Sequence, residues 1–125
     1  LKEFIGEGGV DVVFDPIGGE IFEKALRSTA WNGRVLIVGF ASGLIPKIPA
    51  NLPLLKNCSV IGVFWGAFRQ KEKNLDNKNF VKLFQWFKEG KLNPHIHKVL
   101  PLRDAALALK LLQKREVIGK IVLTP

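Results

Sequence analysis

The sequence predicts an α/β protein built around a parallel sheet. Short runs of β-branched and aromatic residues recur at intervals of about 25 residues, which is the spacing of strands joined through a crossover helix. A stretch with helical periodicity follows the first of these runs, and Gly or Pro ends most of them. These observations favour right-handed strand–helix–strand units around a parallel sheet.

Five strands are predicted, at residues 10–15, 34–40, 59–66, 97–100 and 119–123. The first is entered from Gly8-Gly9 and left through Pro16, which is the punctuation of a buried strand. The second is a nearly continuous apolar run, typical of a strand that is covered on both faces. The last two strands follow one another closely and need not belong to the same sheet.

Helices are predicted at residues 20–31, 50–56, 77–89 and 105–114. Asn32-Gly33 is expected to stop the first helix, and Asp104 to open the last. In the third helix Phe80, Phe84 and Phe87 recur on one stripe, which we interpret as a face that packs into the core.

Composition excludes several classes of protein. The chain has 125 residues, a formal net charge of +8 and 47% hydrophobic residues, so it is one domain at most and not disordered. Its apolar runs are far shorter than the roughly 20 residues of a membrane-spanning helix. A single cysteine, Cys58, rules out an internal disulfide and is compatible with a reducing compartment, so we expect a cytoplasmic location.

The beginning of the chain reads as the end of an element. Residues 1–6 resemble the last turn of an amphipathic helix closed by Gly6, and the sequence contains no Met. We therefore expect the chain to be a piece of a longer protein.

Candidate binding residues lie in the loops after the first three strands, because ligands of open parallel sheets sit beyond the carboxyl ends of the strands. Those loops are Asp15–Gly19, Gly39–Gly43 and Trp65–Ala67, and each carries glycine. Glycine lets a flat ligand approach the backbone, although glycines that serve only tight turns explain the same pattern. Neither a Gly-x-Gly-x-x-Gly phosphate loop nor a Walker A motif occurs in the sequence.

Five segments in order carry a resemblance to a known family. They are GVDVVFDPIGG at 9–19, WNGRVLIVGFASG at 31–43, IPAN at 48–51, SVIGVFWG at 59–66 and IGKIVL at 118–123. Together they resemble the C-terminal part of a zinc-independent quinone oxidoreductase of the medium-chain dehydrogenase/reductase superfamily. The resemblance covers essentially the whole chain.

The resemblance implies an NADPH-dependent enzyme of two lobes. Residues 1–92 would form part of a Rossmann-like nucleotide-binding domain, and residues 93–125 the C-terminal segment that returns to the catalytic, GroES-like lobe. Gly18 and Gly19 would border the ribose, and Phe64-Trp65-Gly66 would bind the carboxamide through the main chain. The residues implied in cofactor binding are Gly18, Gly19, Val38, Gly39, Phe40, Ala41, Phe64, Trp65, Gly66 and Lys120. A solvated side chain is the alternative for Lys120.

The implied reaction is hydride transfer from NADPH to a small-molecule acceptor such as a quinone or an enone. Hydride transfer needs no protein nucleophile, because the cofactor carries the electrons and the protein binds, orients and excludes water. No catalytic residue is therefore assigned within this chain. We predict that the 125 residues alone are inactive.

A homodimer is the predicted assembly. The third strand is the last before the chain leaves the sheet, so residues 59–65 should lie at an edge that is apolar and free of Lys and Pro. The resemblance implies that Val60 to Phe64 pairs antiparallel with its own copy across a twofold axis.

The sequence also leaves three other functions to weigh. A pI near 9.9 is compatible with nucleic-acid binding, but the basic residues are scattered and no recognition motif occurs, so we expect nonspecific binding at most. His95 and His97, with Cys58, are too few for a structural zinc site, and we expect no metal. The third alternative is that the isolated chain is a non-catalytic nucleotide-binding or interaction module.

Overall fold

The computed structural model describes residues 5–125, and the chain divides into two compact units between Lys73 and Asn74. Most of the helix end predicted at residues 1–6 lies outside the described residues. Within them, Gly6 has a φ of +65°. The unit boundary precedes the predicted domain boundary between residues 92 and 93. A division by compactness does not assign a segment to a lobe, so the domain assignment stays a prediction.

The first unit contains a three-stranded parallel sheet in the order β1-β2-β3. Its strands are β1 (Val10–Asp15), β2 (Thr29–Ile37) and β3 (Ser59–Gly62), and its helices are α1 (Gly19–Arg27), α2 (Asn51–Lys56) and α3 (Trp65–Lys71). The predicted α/β class with parallel strands is confirmed. So is the predicted edge position of β3, which among the described strands pairs only with β2.

α1 and α2 cover one face of this sheet. Val13, Val35 and Val60 lie side by side in the register of the three strands, and they face the core. The buried residues of that core are Phe22, Leu26, Val35 and Leu52. On the opposite face, Phe14 and Ile61 are 66% and 39% exposed. The prediction of a buried first strand is therefore wrong within the described chain, because β1 is an edge strand with only one face covered.

The first predicted helix is too long. α1 ends at Arg27, and Ser28 caps it by donating its N–H to the carbonyls of Lys24 and Ala25. Thr29 already pairs with Val10, so residues 29–31 belong to β2 rather than to the helix, and Asn32-Gly33 lies within β2 instead of stopping a helix. Asn32 takes a φ of +61° at an irregularity in this pairing. Strand pairing outweighs the helical spacing that the sequence shows up to Trp31.

Two strands are shorter than predicted at their carboxyl ends. β2 stops at Ile37 instead of Phe40, and β3 at Gly62 instead of Gly66. The chain turns into α3 at Trp65, and the Phe68 N–H donates to the Phe64 carbonyl 3.0 Å away. An apolar sequence alone does not distinguish the end of a strand from the first turn of a helix.

The second unit combines a long helix with a two-stranded parallel sheet. Its elements are α4 (Lys73–Lys88), β4 (Ile96–Pro101), a 3-10 turn (Leu102–Asp104), α5 (Ala105–Gln113) and β5 (Lys120–Thr124). The three elements predicted after residue 95 are present within two residues of their predicted bounds. Asp104 precedes α5 as predicted, but its side chain makes no capping hydrogen bond.

The apolar stripe of α4 is exposed, contrary to its predicted role in the core. Phe84 and Phe87 are 63% and 55% exposed, whereas Phe80 is half-buried. In the same unit, the buried hydrophobic side chains of the described residues are Leu100 and Ala108. Helical periodicity places residues on one face, but it does not state whether the described chain covers that face.

No helix within residues 5–125 is both long enough and apolar enough to cross a membrane.

Candidate functional site

Two loops at the carboxyl edge of the first sheet are joined by backbone hydrogen bonds. We call them the paired loops: residues 16–18, between β1 and α1, and residues 38–50, between β2 and α2. The N–H groups of Ala41 and Ser42 donate to the carbonyls of Pro16 and Ile17, each at 3.0 Å. The Gly19 N–H donates to the Leu44 carbonyl at 2.9 Å. These backbone hydrogen bonds therefore hold the two loops in a fixed position relative to each other.

The glycines at this edge have different structural requirements. Gly18 has a φ of +68°, and a Cβ there would lie 2.8 Å from the Phe40 ring and 3.0 Å from the Leu44 carbonyl oxygen. Gly19 has a φ of +61°, and its Cβ would lie 2.9 Å from the Ser42 hydroxyl. Packing between the paired loops thus explains both glycines. Gly39 has more room, because its nearest contact would be the Pro16 carbonyl oxygen at 3.4 Å.

A cavity of about 210 Å³ opens beside these loops, between the ends of β2 and β3. We call it the carboxyl-edge cavity. It is lined by Ile37, Val38, Gly39, Phe40, Gly62, Val63 and Phe64. Four residues predicted from the sequence, Val38, Gly39, Phe40 and Phe64, are brought together here. Its apolar side chains and its two glycines suit a flat, uncharged ring.

Other predicted residues lie around the cavity without lining it. Ala41, Gly18 and Gly19 belong to the contact between the paired loops or to the first residue of α1. Trp65 and Gly66 form the start of α3, and the Arg69 guanidinium lies 5.0 Å from the centre of the Trp65 ring.

Lys120 is the remaining predicted residue. It begins β5 in the second unit, where its N–H donates to the His95 carbonyl at 3.1 Å. The preceding Gly119 has a φ of +79° and lies against the same carbonyl. The Lys120 backbone thus helps to join β5 to the residues before β4. Contact between its ammonium group and the cofactor stays a prediction.

Candidate metal ligands do not cluster in the described residues. Between residues 5 and 125, no three or more His, Cys, Asp or Glu side chains come together as a metal site would require. Cys58 is half-buried and packs against the core of the first unit.

A larger cavity, of about 600 Å³, lies at the opposite end of the strands. It is lined in part by Gly9, Thr29 and Lys56. The Lys56 ammonium donates to the Thr29 carbonyl at 2.7 Å, so this cation already has a partner. We place the candidate site in the smaller cavity, because parallel sheets bind their ligands at the carboxyl ends of the strands.

The sequence analysis does not predict the roles of four residues of this region: Asp15, Ile37, Gly62 and Val63. Asp15 belongs to a predicted candidate loop, but no role of its side chain is predicted, although Asp followed by Pro and Gly is a known signal for side-chain hydrogen bonding to a turn. Gly62 and Val63 fall inside a longer predicted strand. Their position at the cavity follows from the early end of β3, which the apolar sequence does not show.

Comparison with known proteins identifies the family. Residues 2–123 match the family described as zinc-binding dehydrogenase. The chain belongs to the zinc-binding dehydrogenase family. The resemblance to the medium-chain dehydrogenase/reductase superfamily is confirmed, and the chain corresponds to the C-terminal portion of its members.

Individual relatives agree with this family. The chain is 42% identical over 124 residues to a quinone oxidoreductase-like protein 2 of Bos taurus, covering 99% of this chain and 36% of that protein. A crystal structure of a probable oxidoreductase from Mycobacterium abscessus matches with a TM-score of 0.80 and 34% identity, covering 99% of this chain and 36% of that one. A mycobacterial protein in complex with NADPH matches with a TM-score of 0.80 and 25% identity, covering 99% and 38%. The chain thus spans little more than a third of the length of these dehydrogenase-family relatives.

Proposed function

We propose that this chain is the C-terminal part of an NADPH-dependent reductase that transfers hydride to a quinone or another conjugated carbonyl acceptor. The carboxyl-edge cavity carries the proposal, because it unites Val38, Gly39, Phe40 and Phe64 at the edge where this class of sheet binds nucleotides. A structural relative in complex with NADPH and a relative described as quinone oxidoreductase-like support the choice of cofactor and acceptor. The single Cys58 is compatible with a cytoplasmic enzyme.

The residues of the cavity fit the nicotinamide end of such a cofactor. Val38, Phe40 and Val63 offer apolar walls, and the missing side chain of Gly39 leaves room for a ring to approach the backbone. Bound NADPH supplies the hydride from its dihydronicotinamide ring. The task of these residues is to hold the ring at a fixed angle and to exclude water from one side of it.

The phosphates and the acceptor need groups that the described chain does not show. Residues 5–125 contain no Gly-x-Gly-x-x-Gly turn, and the described cavity is much smaller than a whole dinucleotide requires. The identity of the acceptor also depends on the second lobe that the resemblance implies. We therefore propose activity for the full-length protein and none for the 125 residues alone.

The test compares the full-length protein with the 125-residue chain. NADPH oxidation is followed with a quinone, an enone and no acceptor, and NADH replaces NADPH in a parallel series. We expect turnover by the full-length protein with NADPH and a conjugated carbonyl, and none by the chain. Binding of NADPH without reduction of either acceptor class would favour the alternative of a nucleotide-binding module.

We also propose that the full-length protein is a homodimer joined through β3. This strand lies at the edge of the sheet, and Ile61 on it is 39% exposed. The Val63 N–H donates inward to the Ile37 carbonyl at 2.8 Å, and backbone donors alternate sides along a strand, so the Ile61 N–H also points to β2. The outward donors are those of Val60 and Gly62, which an antiparallel copy would use.

This alternation decides which proline variant tests the dimer. Proline at Ile61 or Val63 would remove a hydrogen bond inside the sheet, whereas Gly62→Pro removes only an outward donor. Gly62→Ala is the matched control, since a Cβ at Gly62 meets no atom within 4 Å. In sedimentation, we expect a dimer for the wild type and for Gly62→Ala, and folded monomers for Gly62→Pro. A monomeric wild type would refute the proposal.

A further inference from the structure

Asp15 is a buried carboxylate that has no role in the proposed function. It ends β1, and 4% of its surface is exposed. Its Oδ1 accepts hydrogen bonds from the N–H groups of Ile17 and Gly18, at 2.8 and 3.0 Å. Its Oδ2 is buried and makes no hydrogen bond within residues 5–125. Burying a carboxylate with one oxygen unsatisfied costs free energy. The two hydrogen bonds to Oδ1 offset part of this cost.

Those two bonds fix the conformation of the first of the paired loops. Gly18 takes a φ of +68° and a ψ of −151°, a region that is essentially restricted to glycine. The Asp15 carboxylate stabilises this turn by binding two successive N–H groups at its centre. Without it, the peptide groups of residues 16–18 would lose their fixed orientation.

The orientation of these peptide groups determines how the second loop is held. The carbonyls of Pro16 and Ile17 accept the N–H groups of Ala41 and Ser42. Ala41 directly follows Phe40, which lines the carboxyl-edge cavity. A continuous chain of short contacts therefore runs from the Asp15 carboxylate through the turn to the wall of the cavity.

We propose that Asp15 is a positioning residue that holds the Gly39–Phe40 wall of the carboxyl-edge cavity in the geometry that binds the nucleotide. This inference rests on the proposed function. Asp15 is not a catalytic residue, because its Oδ2 is buried from any ligand and its Oδ1 is engaged by the backbone. It acts through the paired loops alone.

The test uses variants of the full-length protein that separate the negative charge of Asp15 from its role as a hydrogen-bond acceptor. Asp15→Asn keeps an acceptor at Oδ1 and removes the charge, whereas Asp15→Ala removes the acceptor. With two hydrogen bonds lost, we expect Asp15→Ala to raise the Kd and the KM for NADPH roughly tenfold, with a much smaller change in kcat. Asp15→Asn should restore both values to within roughly twofold of the wild type. A residue needed only for folding would not produce this split between KM and kcat.

A third variant tests the same chain of contacts without changing Asp15. Phe40 to Gly43 form a turn closed by the Gly43 N–H and the Phe40 carbonyl at 2.8 Å, which places Ala41 where proline is favoured. Ala41→Pro removes the N–H that binds Pro16 and should also raise the KM for NADPH. If Asp15→Ala does not fold, this variant decides the question.

Three results would overturn the inference. They are an unchanged Kd for NADPH in folded Asp15→Ala, an Asp15→Asn variant as impaired as Asp15→Ala, and an unchanged KM in Ala41→Pro. The proposed function fails separately, since a wild-type protein that binds no NADPH refutes both. If the wild type binds NADPH and any one of the three results is obtained, the inference alone fails.

Discussion

The two units of this chain bury their apolar residues to very different extents. In the first unit Phe22 and Leu26 are fully buried against the sheet, whereas Phe84 in the second is 63% exposed. These residues lie on α1 and α4, and both helices have apolar residues at helical spacing. The difference in burial therefore does not come from periodicity. It comes from what each helix packs on within its own unit, because α1 packs on the sheet of the first unit whereas the apolar stripe of α4 is largely exposed. An amphipathic pattern therefore predicts a face, and only the surrounding structure decides whether that face is a core.

The largest expected effect comes from truncating one phenylalanine in each unit. Phe22→Ala should lower the free energy of unfolding by about 3–5 kcal/mol, because it leaves a cavity in the core. Phe84→Ala should change it by less than about 1 kcal/mol, because Phe84 is already largely exposed to water. Denaturant unfolding of the 125-residue chain measures both variants. An equal loss for the two would show that the α4 face is covered in solution and would remove the contrast.

A smaller contrast is expected between two glycines of the first unit, both with positive φ. Gly18→Ala combines backbone strain of about 1–3 kcal/mol with a clash against Phe40 and Leu44. A Cβ at Gly43, with a φ of +81°, meets no atom within 4 Å, so Gly43→Ala pays for strain alone. Thermal unfolding should rank Gly18→Ala as clearly less stable. If the two variants unfold together, contact between the paired loops does not explain Gly18.

How much the sequence reveals depends on the kind of residue. The first three strands and the glycine-bearing carboxyl edge follow from patterns within a few residues, and the edge position of β3 follows from its place as the last strand before the chain leaves the sheet. The end of α1 does not, because Thr29 joins β2 through pairing with Val10, far away in the sequence. The role of Asp15 depends on backbone hydrogen bonds to its side chain, and these are visible only once the turn is built.

The next prediction separates folding from ligand binding within the first unit. Gly39→Val should raise the KM for NADPH roughly tenfold in the full-length protein, because a branched side chain would occupy the carboxyl-edge cavity. Stability should fall only slightly, since the nearest atom to a Cβ at Gly39 is 3.4 Å away. Gly8→Val is the control, because a Cβ at Gly8 meets nothing within 4 Å and Gly8 does not line this cavity. An unchanged KM in folded Gly39→Val would exclude this cavity as the nicotinamide site.

The smallest expected effect lies in the second unit, at the surface pair of Glu89 and Lys91. The Lys91 ammonium, 2.7 Å from the carboxylate, and then the Gln85 amide lower the pKa of Glu89 below its ordinary value of 4.5, against a slight opposing effect of burial. A carboxylate whose pKa is lower in the folded state stabilises the fold above its unfolded pKa, and this contribution disappears as the pH falls through the folded pKa. The contribution is therefore present at neutral pH, and stability changes with pH through this group only in acidic solution below about pH 4.5. It is small at every pH, because the pair is exposed.

Lys91→Ala should raise the pKa of Glu89 in an NMR titration and leave the melting temperature at pH 7 unchanged. Lys110→Ala removes one positive charge from the same unit, but Lys110 is not among the groups that lower this pKa, so it controls for net charge. An equal pKa rise in both variants would mean that the overall positive charge of the chain, and not the local pair, holds Glu89 ionised. A clear drop in melting temperature at pH 7 for Lys91→Ala alone would instead mean that this part of the second unit is less exposed to water than the structure shows. The contrast between the units would then be one of degree, since an ion pair contributes measurably to stability only where solvent does not screen it.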